Sequence, residues 1–278
     1  MTFKYVGFET AVAQLEANPA LHARFLNTLS LLEYMGARKI LKSQREEKIS
    51  AQVLAHAAEE IRHAQTFKKL ALKMSSGNLS SYSEDHLLCG KEAKEYFQTL
   101  DKAVHDEIGE DAFANYLYTT LLIEERANQV YPVYEPVLAR AGFPGVLAGI
   151  VKEEDAHLRE ILTALQAQAS QQSAASPQSV LSVISVDKMI EFRMLEAAAF
   201  EKFVSHVFAA TQAVDQKAED QQTIENKREI THGETQPGLT RGTVQDSGHA
   251  SHLKNAIHAN GMNPSPNHAS GSAPLLKD

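Results

Sequence analysis

Two glutamates stand where a helix should bury apolar side chains, and that misfit limits what this 278-residue chain can fold into. In AHAAEEIRHAQTF, Glu60 and His63 fall on a stripe otherwise made of Val53, Ala57, Ala64, Phe67 and Leu70. In VKEEDAHLREI, Glu154 and His157 fall on the stripe of Ile150, Ile161 and Leu165. Residues three apart share a helical face, so each glutamate points inward together with its histidine. A buried carboxylate without a partner costs several kcal/mol or takes up a proton, so carboxylates at core positions imply a cation among them.

A single Glu-x-x-His proves little, and a third one, Glu229 and His232, lies in a segment of tail-like composition and is set aside. What precedes the other two is more specific. Glu33, in LSLLEYMGARK, shares a stripe with Leu29, Gly36 and Ile40, 27 residues before Glu60. Glu124, in TTLLIEERANQ, stands 30 residues before Glu154. Glu125 follows it and either can face inward. Thr120, Ile123, Ala127 and Tyr131 around Glu124 are more core-like than Leu121, Asn128 and Pro132 around Glu125, which favours Glu124. The chain thus reads Glu, Glu-x-x-His, Glu, Glu-x-x-His, one element per helix. That is the ligand rule of dimetal carboxylate bundles, with Glu33, Glu60, His63, Glu124, Glu154 and His157 as metal ligands and catalytic set. Glu59 and Glu153 are rotated about 100° from the inward glutamates and are expected in solvent or outside the ligands. His56, one turn before Glu60, is expected as a packed or outer histidine, since six ligands are complete without it.

Periodicity predicts helices over Leu21–Gln44, from Ser50 to about residue 74, over Lys91–His105 as a crossover, from Asp111 to about Leu138, and over 146–168. Pro19 closes an N-terminal segment, and Pro132 and Pro136 are expected to kink or end their helix. Residues 1–170 then form the bundle, 171–185 a linker, and 186–214 a further helix that docks through Met189, Phe192, Phe200 and Phe203. From 215 to 278 the composition turns polar and predicts a disordered tail, whose histidines are expected in solvent.

A net charge of −8 argues against nucleic acid as a partner, and no apolar run long enough to span a membrane is present. A single cysteine, Cys89, excludes CxxC redox or metal motifs, so any metal must use oxygen and imidazole. It also fits a reducing compartment, and without a basic, apolar leader at the N-terminus the expected location is cytoplasmic.

On these motifs, residues 21 to about 170 resemble the ferritin-like superfamily of di-iron proteins, which includes rubrerythrins, tRNA-modifying hydroxylases and aldehyde deformylating oxygenases. The IEER segment resembles the E-x-R of the hydroxylase branch, although no basic stripe beyond Arg38, Lys39, Lys42 and Arg45 would serve RNA. The resemblance implies an all-α, ferritin-like four-helix bundle with a crossover helix, here followed by an extra C-terminal helix. It implies two iron ions, with manganese as the alternative, and a non-haem di-iron oxidoreductase or oxygenase that uses dioxygen to oxidise or hydroxylate a small organic substrate. Lacking a rubredoxin-like cysteine module, such an enzyme would draw electrons from a separate donor; a homodimer is compatible with it. Peroxide consumption or iron oxidation in the manner of a rubrerythrin, and a non-catalytic helical scaffold, are the alternatives. Phe25, Leu29, Met35, Phe67, Tyr118 and Leu121 are candidates to line a substrate pocket, and Tyr34 and Tyr131 to hydrogen-bond or exchange electrons near the metals.

Overall fold

The computed structural model describes residues 6–43, 49–174 and 185–233, and among them every regular element is helical. A compact unit runs through Glu229, and of the remainder only the end of the last helix, to Gly233, is described. The helices are α1 (Val6–Ala17), α2 (Pro19–Lys42), α3 (Ala51–Met74), α4 (Gly90–Ile108), α5 (Ala112–Arg140), α6 (Val146–Ala174) and α7 (Val186–Gly233). Their starts are set by local chemistry. Asn18, Ser50 and Asp111 each accept a hydrogen bond from the backbone N–H three residues on, at 3.1, 3.2 and 3.0 Å. Before α6, Glu135 accepts from Gly145 N and Leu147 N, in a turn where Gly142 and Gly145 adopt positive φ.

Helices α2 and α3 pack closely, as do α5 and α6. Both pairs are antiparallel: Ser30 Oγ donates to Ala64 O while Gly36 faces Glu60, and Glu135 meets Leu147 while Glu124 meets His157. The two pairs face each other across the carboxylates. One end of the molecule is closed by an apolar cluster of α1, α2, α5 and α7, including Phe8, Leu15, Phe25, Tyr134, Phe200 and Phe203. Buried polar residues on α2 pin the segment after α3. Asn27 donates to Ser81 O and His86 O, each at 2.9 Å, and Thr28 Oγ1 donates to Leu88 O at 2.9 Å.

Three elements differ from the sequence expectation. The N-terminal segment is itself a helix, α1, with Phe8, Ala11, Val12 and Leu15 buried at helical spacing. Helix α5 continues through Pro132 and Pro136 to Arg140. Each proline removes one helical hydrogen bond, but Val130, Tyr131, Tyr134, Val137 and Leu138 on either side are buried, and that packing outweighs the loss. Helix α7 continues past residue 214 to Gly233, because Ala, Gln, Glu, Lys and Arg are good helix formers even where apolar residues are few. The rest of the tail, 234–278, lies outside the described residues, as do 175–184 of the linker; 171–174 extend α6. Among the described residues no helix is long and apolar enough to cross a membrane.

Candidate metal centre

All six candidate ligands converge at the middle of the molecule, none more than 9% exposed. Together with His56 they fall into two groups whose donor atoms lie within 4.8 Å of one another: Glu33, Glu60, His63 and Glu154, and Glu60, Glu124, His157 and His56. Glu60 belongs to both. Glu154 reaches both as well, its Oε1 3.1 Å from His63 Nδ1 and its Oε2 3.3 Å from His157 Nδ1. His157 Nδ1 is also 3.4 Å from Glu124 Oε1. Glu124 rather than Glu125 faces inward, while Glu125 accepts from Arg193 of α7 at the surface.

The doubled glutamates now have a geometric explanation. Glu60 and Glu154 point inward, and the residue before each holds the histidine of the opposite helix. Glu153 Oε2 lies 2.7 Å from His63 Nε2, and Glu59 Oε2 lies 2.6 Å from His157 Nε2. Arg62 donates to Glu153 at 2.9 Å and sits 3.7 Å from Glu59. With a carboxylate as acceptor, each Nε2 carries a hydrogen, and Nδ1 is directed into the site. His63 Nδ1, although 3.1 Å from Glu154 Oε1, lacks hydrogen-bond alignment and is a buried nitrogen with no hydrogen-bond partner. An imidazole nitrogen buried among carboxylate oxygens without a hydrogen-bond partner fits a divalent cation.

His56, expected outside the ligand set, is buried within it. Its Nε2 is 3.2 Å from Glu124 Oε1 and 3.5 Å from Glu60 Oε1, and its ring centroid is 4.0 Å from that of His157. The spacing His56, Glu60, His63 was legible as one helical face, but counting ligands to six hid it. Tyr131 donates to Glu33, so this tyrosine touches the site. Tyr34 does not: it is exposed and stacks on Tyr82.

Four carboxylates in a dry core hold one another's charge in check. Burial, then the charges of Glu60 and Glu154, raise the pKa of Glu33 well above the carboxylate range. Burial, then Glu154, push Glu124 up to about 8. Burial opposes ionisation of Glu154 too, but hydrogen bonds from Glu124 and His157 and the nearby His63 hold it below the ordinary range. The histidines answer in kind. Burial disfavours their cations, yet the adjacent carboxylates outweigh it and raise His56 to about 9, His63 to about 10 and His157 to about 11. Without metal, protons supply the positive charge that the cluster requires. Cys89, by contrast, is no nucleophile: burial and then Glu92 push its thiol up to about 11.

A mostly apolar cavity of about 80 Å³ adjoins the carboxylates. Phe25, Leu29, Ile123, Val130 and Phe203 line it, and Glu33, Glu60, Glu124 and Glu154 form its polar end. Of the sequence candidates for a pocket, Phe25 and Leu29 are there, whereas Phe67, Tyr118 and Leu121 pack in the core clusters. Phe8, Arg126 and Phe200 line both this cavity and a larger groove of about 1220 Å³ along α7. At that junction Arg126 forms a buried pair with Glu196, which also accepts from Tyr96 Oη at 2.7 Å.

Comparison with known protein families, characterised proteins and solved structures finds no significant match for this chain.

Proposed function

We propose that this chain is a ferritin-like di-iron carboxylate protein that uses dioxygen to oxidise a small apolar organic substrate. One observation carries the proposal: two interlocked groups of buried Glu and His donors share Glu60, present the unpartnered His63 Nδ1, and border an apolar cavity. Glu33 and His63 would hold one ion, Glu124 and His157 the other, with Glu60 and Glu154 between them. A pair of ferrous ions held there supplies two electrons to dioxygen.

The rest of the chemistry falls to the chain. Glu153 and Glu59 orient the two ligand histidines, and Tyr131 holds one oxygen of Glu33 through its hydroxyl. Phe25, Leu29, Val130 and Phe203 give the cavity an apolar wall that would place an apolar substrate against the carboxylate end. No described cysteine motif delivers electrons, so a separate donor is part of the proposal.

The test is anaerobic loading of the purified chain with ferrous iron, followed by admission of oxygen. About two irons per chain and a new near-ultraviolet absorbance of oxo-bridged ferric ions are expected. Both should vanish in Glu60→Ala. A folded chain that takes up no stoichiometric metal would make the cluster a proton-bridged structural core and the protein a helical scaffold.

A further inference from the structure

We propose that His56 is a seventh ligand and makes the two metal positions chemically unlike; this rests on the dinuclear reading above. The first position would have one imidazole and three carboxylates, from His63, Glu33, Glu60 and Glu154. The second would have two imidazoles and three carboxylates, from His56, His157, Glu60, Glu124 and the shared Glu154.

The geometry of His56 is that of a ligand. It is 5% exposed, and its Nδ1 lies 2.8 Å from the hydroxyl of Tyr116. When Nδ1–H donates to that hydroxyl, the Nε2 lone pair faces Glu124 Oε1 at 3.2 Å and Glu60 Oε1 at 3.5 Å. A lone pair directed at two carboxylates is repelled unless a cation lies between them, and a proton or a metal ion meets that need. Tyr116 orients the His56 ring through its outer nitrogen, as Glu153 does for His63 and Glu59 for His157, although a hydroxyl can donate as well as accept and so admits either tautomer. His56 and His157, with ring centroids 4.0 Å apart, come from α3 and α6 and converge on the same carboxylates.

Imidazole donors favour later first-row divalent ions, while carboxylate-rich positions suit manganese and magnesium. The His56 position therefore fills first with cobalt, zinc or iron, and the Glu33 position accepts a harder ion second. Iron alone would fill both positions, whereas a mixture of Mn(II) and a later metal would sort, with Mn(II) at Glu33 and the later metal at His56.

The experiment is an anaerobic Co(II) titration of the metal-free full-length chain, followed by visible absorption, for wild type, His56→Ala and His56→Gln. Wild type is expected to bind two ions in two resolved steps. The variants should still bind two, with the tighter step weakened about 10-fold or more and its spectrum changed. Identical constants and spectra in wild type and variants would remove His56 from the metal while leaving the dinuclear reading intact. Absence of cobalt uptake by wild type would overturn both.

The unmodified chain carries a second measurement that no folding defect can obscure. Given one equivalent each of Zn(II) and Mn(II), it should hold them as a mixed pair, seen by electron paramagnetic resonance as isolated Mn(II). Spin-coupled manganese pairs at half occupancy would show two equivalent positions and overturn the proposal.

Discussion

Gly36 is the residue where stability and metal binding should part company. It lies one turn after Glu33, and a Cβ added there would sit 3.0 Å from Glu60 Oε2. In a helix interior, alanine is favoured over glycine by about 1 kcal/mol. Gly36→Ala is therefore expected to leave the metal-free chain as stable as wild type or slightly more so, because the flexible end of Glu60 can move aside. That movement takes a shared ligand out of place, and metal affinity should fall roughly 10- to 100-fold, as for other changes beside a ligand. Thermal melting of the metal-free chain together with a metal titration checks both halves; unchanged affinity would mean that Glu60 does not bind metal in the position seen here. Glu153→Gln tests the outer layer in the same way, since it keeps the size of the group but weakens its hold on His63 Nε2. It should lower affinity within that same rough range while leaving helix content unchanged by circular dichroism.

At the scale of elements, α7 is fastened by a buried charge. Arg126 on α5 and Glu196 on α7 are both about 5% exposed, and Tyr96 on α4 donates to the same carboxylate. Removing the carboxylate takes from buried Arg126 its countercharge, so Glu196→Ala should cost about 3–5 kcal/mol, whereas Arg126→Met with Glu196→Leu should cost less, about 1–3 kcal/mol, for the Tyr96 hydroxyl left without its acceptor. Urea denaturation of the single and double variants decides it: a single-variant loss below about 1 kcal/mol would mean that water reaches Arg126. This pair was not legible in the sequence, because residues 70 apart carry no periodic signal of their meeting. The long helices were legible, since glutamates interrupting apolar stripes at Glu60 and Glu154 are local patterns. Helix α1 was equally available in Phe8, Ala11, Val12 and Leu15, but it carries no chemistry to draw attention. The prolines in α5 do not end the helix, because propensity is local, while the burial of Tyr131 and Tyr134 that overrides it is tertiary. His56 was legible by spacing alone, and only the converging α5 and α6 side chains reveal what it faces.

For the molecule as a whole, the carboxylate cluster is not the one buried titratable site. His22, at the closed end and about three turns along α2 from Glu33, is 1% exposed, and its Nε2 lies 2.6 Å from the hydroxyl of Tyr134. Burial lowers its pKa to about 4, against a small opposing effect of Glu16. The unfolded chain binds this proton at about 6.5, so between those values the unfolded state holds more protons than the folded one. Stability linked to His22 is thus complete above pH 6.5 or so and is lost as pH falls toward about 4. A shift of this size corresponds to roughly 3 kcal/mol. The carboxylates of the site also respond to acid, so the informative quantity is a difference between two chains that share them. His22→Gln retains a polar partner for Tyr134 but cannot titrate. Urea midpoints of metal-free wild type and His22→Gln, measured from pH 7.5 down to 4, should run apart, with wild type losing more. Parallel curves would show that His22 enters the fold already protonated, and that the hydroxyl of Tyr134 accepts its hydrogen bond from a cation.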